Sequence, residues 1–285
     1  MKLFEPPPPT KWNVLNLGAG VQSSCLALMA AKGEITPMPD FAVFADTQAE
    51  PHSVYDWLDW LEQQLPFPVY RVTKGNLTED SLQIHERKDG SGERVNNLVP
   101  AFGILQDGTK TAAIGRKCTN DYKILPIIKE IKERCAIRRG QKDCTVTQWI
   151  GISWDELQRM KSARFDWTRH RWPLIEKQMT RRACMEWMLQ HGYPEPPRSA
   201  CVYCPFHSDT EWRRLRDEEP QEFQKAIEFD KQLRQAHKNH NKRLKMEVYL
   251  HNSCKPLDEI DFDSDEQKGQ MVWDFQAECE GMCGL

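Results

Sequence analysis

The run Val14-Leu15-Asn16-Leu17-Gly18-Ala19-Gly20-Val21-Gln22-Ser23-Ser24 reads as a short buried strand, a glycine turn and the start of a helix continuing through Cys25-Leu26-Ala27-Leu28-Met29. Gly18 and Gly20 would let the backbone take φ > 0 and approach a ligand closely. Ser23 and Ser24 fall where the helix begins, so their amides and hydroxyls are expected to face an anion. The helix dipole adds partial positive charge there. A phosphate or sulfate group is the expected occupant. The plain alternative is a tight strand-to-helix turn with no ligand, since a short glycine motif is weak evidence by itself.

Outward from this turn, strand and helix signals alternate. Phe41-Ala42-Val43-Phe44-Ala45 is a continuous apolar run suited to a buried parallel strand, and it ends at Asp46-Thr47. Ligands of open α/β sheets bind at that carboxyl edge. Val54, Leu58, Leu61 and Leu65 have helical spacing in the segment 51–65, with Pro51 in its first turn. Val69-Tyr70-Arg71-Val72 is a third strand, and residues 88–92 a polar loop. Residues 122–135 read as a helix and 145–150 as a strong strand, followed by Gly151-Ile152-Ser153. Residues 180–191 form an amphipathic helix with a Thr180 cap. Residues 209 to about 245 are largely helical and highly charged. The expected fold class is α/β: a three-layer α/β/α core with a mostly parallel sheet, plus a helical, cysteine-bearing C-terminal part. The expected division is a nucleotide-binding domain over 1–177, a helical region with a CxxC site over 178–257, and an acidic tail over 258–285.

With 285 residues the chain can bury a sizeable core. Its mean hydropathy is −0.69, and no apolar run is long enough to span a membrane. Met1-Lys2-Leu3-Phe4-Glu5 and the four prolines after it lack the apolar centre of a signal peptide, so a cytoplasmic protein is expected. Ten cysteines in such a protein suggest metal binding, iron–sulfur ligation or thiol chemistry rather than a disulfide framework. Cys25 and Cys135 lie in helical patterns and read as small core residues. The net charge of −3 conceals an asymmetry: from Asp258 onward there are nine acids and one lysine, leaving +5 on the preceding residues. Basic clusters at 129–142, 159–182, 213–216 and 231–245 read singly as solvated faces, and together permit a polyanion or nucleic acid as partner.

The strongest local signal is Cys201-Val202-Tyr203-Cys204-Pro205-Phe206-His207. A CxxC turn brings two sulfurs within reach of one metal. Cys118, in Gly115-Arg116-Lys117-Cys118-Thr119-Asn120-Asp121-Tyr122-Lys123, is the best third ligand. Arg116, Lys117 and Lys123 would lower its thiol pKa. His207 or Cys184 could complete a fourth position. Three cysteines with an unusual fourth ligand suit a [4Fe-4S] cluster, while Cys3His suits zinc. Unmodified thiols are the plain reading, and the thioredoxin-type context for a redox CxxC is missing. The end of the chain, Glu278-Cys279-Glu280-Gly281-Met282-Cys283-Gly284-Leu285, offers two further thiols. They could swing into an active site, supply a cluster ligand, or belong to a plain tail. His52, His85, His170, His191 and His251 lack ligand spacing and read as surface or capping residues. The tryptophans, Trp57, Trp60, Trp149 and Trp187 among them, read mostly as core.

These segments, in this order, resemble the phosphoadenylyl-sulfate (PAPS) reductase family of the adenine nucleotide α-hydrolase-like (PP-loop) superfamily, and within it the reductase-like proteins of phages and prophages. Residues 14–24 look like its modified PP-loop, 41–47 like its second strand with the Asp-Thr pair, and 69–73 like its third strand. The segment 118–126 is similar to the one that carries cysteine ligands before Lys-x-x-Pro in adenylyl-sulfate (APS) reductases. Residues 149–153 with Arg159 look like the strand and basic loop that hold the phosphosulfate. Trp172-Pro173-Leu174-Ile175 and the Thr180 helix match a later segment. Cys201 and Cys204 fall at the CxxC of the cluster-bearing members, and Cys283-Gly284-Leu285 resembles the terminal Cys-Gly-Leu of the nucleophile. ATP pyrophosphatases of the superfamily carry Ser-Gly-Gly-x-Asp-Ser, where this chain has Gly18-Ala19-Gly20-Val21-Gln22-Ser23. Gln22 removes a carboxylate that could help bind Mg²⁺. The adjacent double cysteine of APS reductases is absent, because Lys117 precedes Cys118.

The resemblance implies an adenine nucleotide (adenosine phosphosulfate or ATP) along Gly18, Ala19, Gly20, Val21, Gln22, Ser23 and Ser24, with Asp46 and Thr47. It implies phosphate or sulfate contacts from Arg116, Lys117, Lys123, Arg159 and Arg164. It implies a reductase in which Cys283 attacks sulfur and Cys279, thioredoxin or glutaredoxin releases sulfite. The alternatives are an ATP-dependent, iron–sulfur-assisted sulfurtransferase that modifies nucleic acid, and a non-enzymatic nucleotide-binding zinc module. A homo-oligomer with no membrane partner is expected.

Overall fold

The computed structural model describes residues 6–241 and 245–263. The chain runs β1 (Trp12–Leu17), α1 (Val21–Ala31), β2 (Phe41–Asp46), α2 (His52–Gln64), β3 (Val69–Thr73), α3 (Leu77–Leu82), β4 (Ile84–Glu86), β5 (Glu93–Val95), β6 (Ala101–Leu105) and β7 (Lys110–Ile114). It continues through a π-helical turn (Thr119–Ile124), α4 (Leu125–Arg134), β8 (Val146–Ile150), a 3-10 turn (Trp154–Arg159), β9 (Thr168–Arg171), α5 (Pro173–Glu176), α6 (Arg181–Gln190), α7 (Asp209–Glu218), α8 (Pro220–His240) and β10 (Met246–Tyr249).

Five parallel strands form the main sheet in the order β3-β2-β1-β8-β9. Side-chain alternation along each strand sorts residues to two faces. Leu15, Leu17, Ala42 and Phe44 pack with α1, α2 and α6 on one face. Val14, Phe41, Val43, Val146 and Ile150 pack with Ile124, Ile127, Ile128 and Ile131 of the α4 region on the other. The result is α/β with helices on both faces of a parallel sheet, as the alternating strand and helix signals indicate. Helix α1 is buried from Val21 through Ala30, which explains its apolar character all round.

A second core lies beside the sheet. Leu77, Val99, Tyr122, Val202, Tyr203, Trp212, Phe229 and Val248 meet there. It is roofed by an antiparallel sheet, β10-β6-β7, that the sequence reading did not contain. Residues 88–92 form the connection of the β4–β5 hairpin. Packing joins residues from both sides of position 178: α6 lies in the core of α1, while Leu77 and Tyr122 lie in the core of α7 and α8. The helix expected over 122–135 is broken at its start. Pro126 has no N–H to give to the Tyr122 carbonyl, so the regular ladder fails there and a wider π turn precedes α4.

Cys25 and Cys135 are buried in the cores flanking the sheet, and burial pushes the Cys135 thiol up to about 12. His251 departs from a surface role. It is buried, with Nε2 on Asp209 Oδ1 (2.8 Å) and Nδ1 on Ser253 Oγ (2.8 Å).

Candidate functional site

The sheet order places β1 between β2 and β8. From β1 the chain adds β2 and β3 on one side, then returns to add β8 and β9 on the other. The direction therefore reverses between β1 and β8. In open α/β sheets the crevice outside the strands' carboxyl ends at that point is where ligands bind. The 18–24 turn and the segment 151–159 both leave the sheet here.

The turn differs from its sequence reading in two respects. Gly20 has φ −92° and ψ −176°, an extended N-cap, and the left-handed conformation falls on Ala19, at φ 60°. A non-glycine residue in that region costs about 1–2 kcal/mol, a strain that clusters at ligand-binding loops. The serine hydroxyls also have internal partners. Ser23 Oγ accepts from Gly18 N–H (3.2 Å) and donates to the Gly20 carbonyl (3.3 Å). Ser24 Oγ accepts from Trp57 Nε1 (2.9 Å), between α1 and α2. What the turn offers an anion is backbone: the amides of Val21, Gln22 and Ser23 precede the first residue able to bond within the helix.

Gln22 is fully buried and held at both ends. Its Nε2 donates to Glu156 Oε2 (3.2 Å), and its Oε1 accepts from Arg181 Nη1 (3.1 Å). Glu156 also pairs with Arg159, and Asp155 accepts from the Arg181 amide (3.1 Å). The loop after β8 and the start of α6 thus close over the first turn of α1. Ser153, fully buried between them, has a hydroxyl without a hydrogen-bond partner among the described residues. A buried polar group left unpaired is costly, and at a crevice of this kind it marks a place for a ligand atom or water.

At the end of β2, Asp46 Oδ1 accepts from the Gln48 amide (2.7 Å) and from Tyr55 Oη (2.8 Å). Thr47 is buried, with Oγ1 3.4 Å from Cys201 Sγ. Glu50, four residues after Asp46, is buried and forms an ion pair with Lys123 (3.1 Å). Its other oxygen, Oε2, has no hydrogen-bond partner among the described residues. Lys123 therefore does not stand as an uncompensated phosphate ligand: its charge is matched by Glu50.

The cysteines separate into groups. Cys118 and Cys201 pack against the second core beside Tyr203, and Cys204 closes the turn by donating its amide to the Cys201 carbonyl (2.9 Å). Burial, and then the Glu50 carboxylate, push the Cys201 thiol well above its ordinary pKa, with Lys123 opposing. His207 Nε2 lies 3.0 Å from the Cys201 carbonyl, and its buried Nδ1 has no hydrogen-bond partner among the described residues. Burial, with the Arg198 charge next, lowers His207 to about 3, so it is neutral at pH 7. Cys184 is not with them. It is fully buried in the core shared by α1 and α6, whereas Cys118 and Cys201 border the second core. Among the described residues, no three His, Cys, Asp or Glu side chains converge tightly enough to hold one metal ion.

Arg116 reaches the CxxC loop, its guanidinium 5.2 Å from the Phe206 ring, and Lys117 is exposed beside it. Arg159 reaches the first turn of α1 through Glu156 and Gln22. Arg164 is exposed over the Phe165 ring (5.7 Å), on the loop returning to the start of β9; it lines a small hollow with Ile124 and Ile128 rather than with residues 18–24. Cys279 and Cys283 lie outside the described residues. Sequence reasoning missed Glu50, Glu156 and Arg181, whereas Ser153 lies in the segment 149–153 that it did single out. Their common signal is position: polar residues within a few places of a parallel strand's carboxyl end, or at the first position of the helix that closes over it.

In comparisons with known proteins, no family model matches the chain and no curated protein is similar to it at a significant level.

Proposed function

We propose that the chain binds an adenine nucleotide at the carboxyl edge of the parallel sheet and reduces an adenylylated sulfur compound to sulfite by thiol attack. The observation that carries this reading is the approach of Cys201 to Thr47. The cysteine-bearing loop meets the sheet at the end of β2, one strand from the 18–24 turn. In the proposed complex, the amides of Val21 to Ser23 hold a phosphate oxygen and Arg181 and Arg159 face the anionic group. The Cys283 thiolate attacks sulfur, the S–O bond breaks, and the nucleotide leaves with that electron pair. A second thiol, from Cys279, thioredoxin or glutaredoxin, then attacks the Cys283 sulfur of the resulting thiosulfonate. A disulfide forms, sulfite departs, and the two thiols have supplied the two electrons. Incubation with adenylyl sulfate or its 3′-phosphorylated form plus dithiothreitol should yield sulfite, and Cys283→Ser should stop turnover. No sulfite from either substrate overturns the reading.

One observation favours a second reading. Glu156 brings a carboxylate onto the Gln22 side chain, beside the position where ATP-cleaving relatives of the resembled superfamily carry an aspartate. If ATP is the nucleotide, the chain is a sulfurtransferase that adenylates a nucleic acid target before sulfur transfer. Pyrophosphate release from ATP, and sulfur-containing nucleosides detected by mass spectrometry, select this reading. Sulfite production selects the first. An iron–sulfur cluster on Cys118, Cys201 and Cys204 is a proposal common to both, and labile sulfide in anaerobically purified protein tests it.

A further inference from the structure

Away from the sheet edge, helix α8 and strands β6 and β10 of the antiparallel sheet line a cavity of about 900 Å³. That is near the upper end of small-ligand sites, roughly 300–1,000 Å³. Its helical wall carries Lys231, Arg234, Gln235 and Lys238, spaced three, four and seven residues from Lys231 and so on one face. The facing wall adds Lys245 and Tyr249. Lys231 is bonded to Asp258 (2.8 Å) and Arg234 to the buried Asp230 (3.0 Å). Among the described residues, no carboxylate lies within ion-pair distance of Lys238 or Lys245, and both are exposed. The carboxylate in the wall, Glu247, accepts from Tyr249 Oη (2.7 Å). The cavity is therefore a positive groove with an aromatic ring in its side. Arg234 lies 5.9 Å from the Tyr249 ring centroid, which stiffens that platform.

We propose that this groove binds a segment of single-stranded nucleic acid, with Lys238 and Lys245 on successive phosphates and a base stacked on Tyr249. Basic grooves with aromatic platforms suit single strands, whose unstacked bases expose their faces. A duplex keeps its bases stacked on one another and offers only its backbone. The amides of Gln106 and Gln235, also in the wall, can meet base edges. The same helix ties the groove to the thiols: Phe229 of α8 stacks on Tyr203 of the CxxC turn, with ring centroids 3.8 Å apart. A strand in the groove would lie across one helix, roughly 10–12 Å thick, from that turn. The inference does not depend on which nucleotide occupies the sheet edge, and sulfite assays do not read it.

The test is fluorescence anisotropy of the full chain with a labelled 20-nucleotide single strand, as RNA and as DNA, and with a hairpin duplex of matching sequence, over a salt series. The single strands should bind, with affinity falling linearly on a log–log salt plot. Lys238→Glu with Lys245→Glu should weaken binding at least tenfold and reduce the salt slope by about 1.4, two phosphate contacts at ~0.7 each. Tyr249→Leu should weaken binding about tenfold and leave the slope unchanged. Lys129→Glu, an exposed change on α4, should do neither. Circular dichroism of each variant confirms folding, and a Tyr249→Phe variant that keeps binding isolates the ring from its hydroxyl. No binding, equal loss from Lys129→Glu, or normal binding by a folded Lys238→Glu/Lys245→Glu or Tyr249→Leu variant overturns the proposal. A hairpin bound as tightly as the single strand, with the same dependence on Lys238 and Lys245, overturns the single-strand assignment.

Discussion

Cys201 Sγ and Thr47 Oγ1 stand 3.4 Å apart, although 154 residues separate them in the chain. The Val202 amide reinforces the contact by donating to the Ala49 carbonyl (2.8 Å). The loop after β2 and the CxxC turn thus form one unit. Burial and then Glu50 raise the pKa of the Cys201 thiol and so favour its neutral, less nucleophilic form. In metal-free protein, peptide-resolved alkylation at pH 8 should label the exposed Cys144 well before Cys201. Glu50→Gln removes a carboxylate that raises the Cys201 pKa and leaves Lys123 to lower it, so it should speed labelling of Cys201 several-fold. An unchanged or slower rate in that variant would refute the electrostatic account.

The Glu50–Lys123 pair makes a stability prediction of its own. Both side chains are nearly sealed from solvent, at 1% and 9% exposure. Lys123→Met should strand the Glu50 charge and cost about 3–5 kcal/mol in urea denaturation. Glu50→Gln combined with Lys123→Met removes both charges and should recover most of that loss. A double variant as unstable as Lys123→Met would mean that packing, not charge, holds this position.

His237 gives the protein a one-proton pH response. Burial lowers its pKa to about 4, against about 6.5 when unfolded. The unfolded chain therefore takes up a proton below pH 6.5 that the folded chain refuses until about pH 4. Stability contributed by neutral His237 is complete above pH 6.5 and is lost as pH falls, at up to about 1.4 kcal/mol per pH unit. His237→Gln should flatten the wild-type slope between pH 6 and 4.5 by nearly one proton. The comparison is needed because His207 titrates in the same direction. Parallel pH profiles for the two proteins would contradict it.

The parts legible in the sequence were those written as local periodicity. Residues 41–45 read as a buried strand because strands covered on both faces are apolar throughout, 145–150 read as a strand although Thr147 and Gln148 interrupt its apolar residues, and Thr180 announced α6 by capping it, accepting from the Ala183 amide (3.1 Å). The β6–β7–β10 sheet was hidden for the opposite reason. Its strands are short and half-exposed, and β10 pairs with β6 across more than 140 residues. At the site, the sequence singled out Cys201 and Cys204 by spacing and Cys118 by its basic neighbours. It could not show that Ser24 turns to Trp57, that Lys123 is neutralised by Glu50, or that Cys184 belongs to another core. Each of those facts depends on which side chains from distant segments meet.

The most specific prediction concerns Gln22. Its amide is oriented by two partners of opposite demand: Glu156 requires a donor and Arg181 requires an acceptor. Glutamine satisfies both, whereas glutamate would set two carboxylates against each other in a buried crevice. Gln22→Glu should therefore cost about 1–3 kcal/mol of stability and weaken adenine-nucleotide binding at least tenfold, measured by denaturation and calorimetry. Glu156→Gln in the same chain restores a donor opposite the new carboxylate and should recover at least half of both losses. Such a coupling between residues 134 positions apart would establish that the loop after β8 shapes the 18–24 turn. If the two substitutions instead act additively, the turn is set by the strain at Ala19 and the backbone amides alone, and Gln22 is a buried spacer.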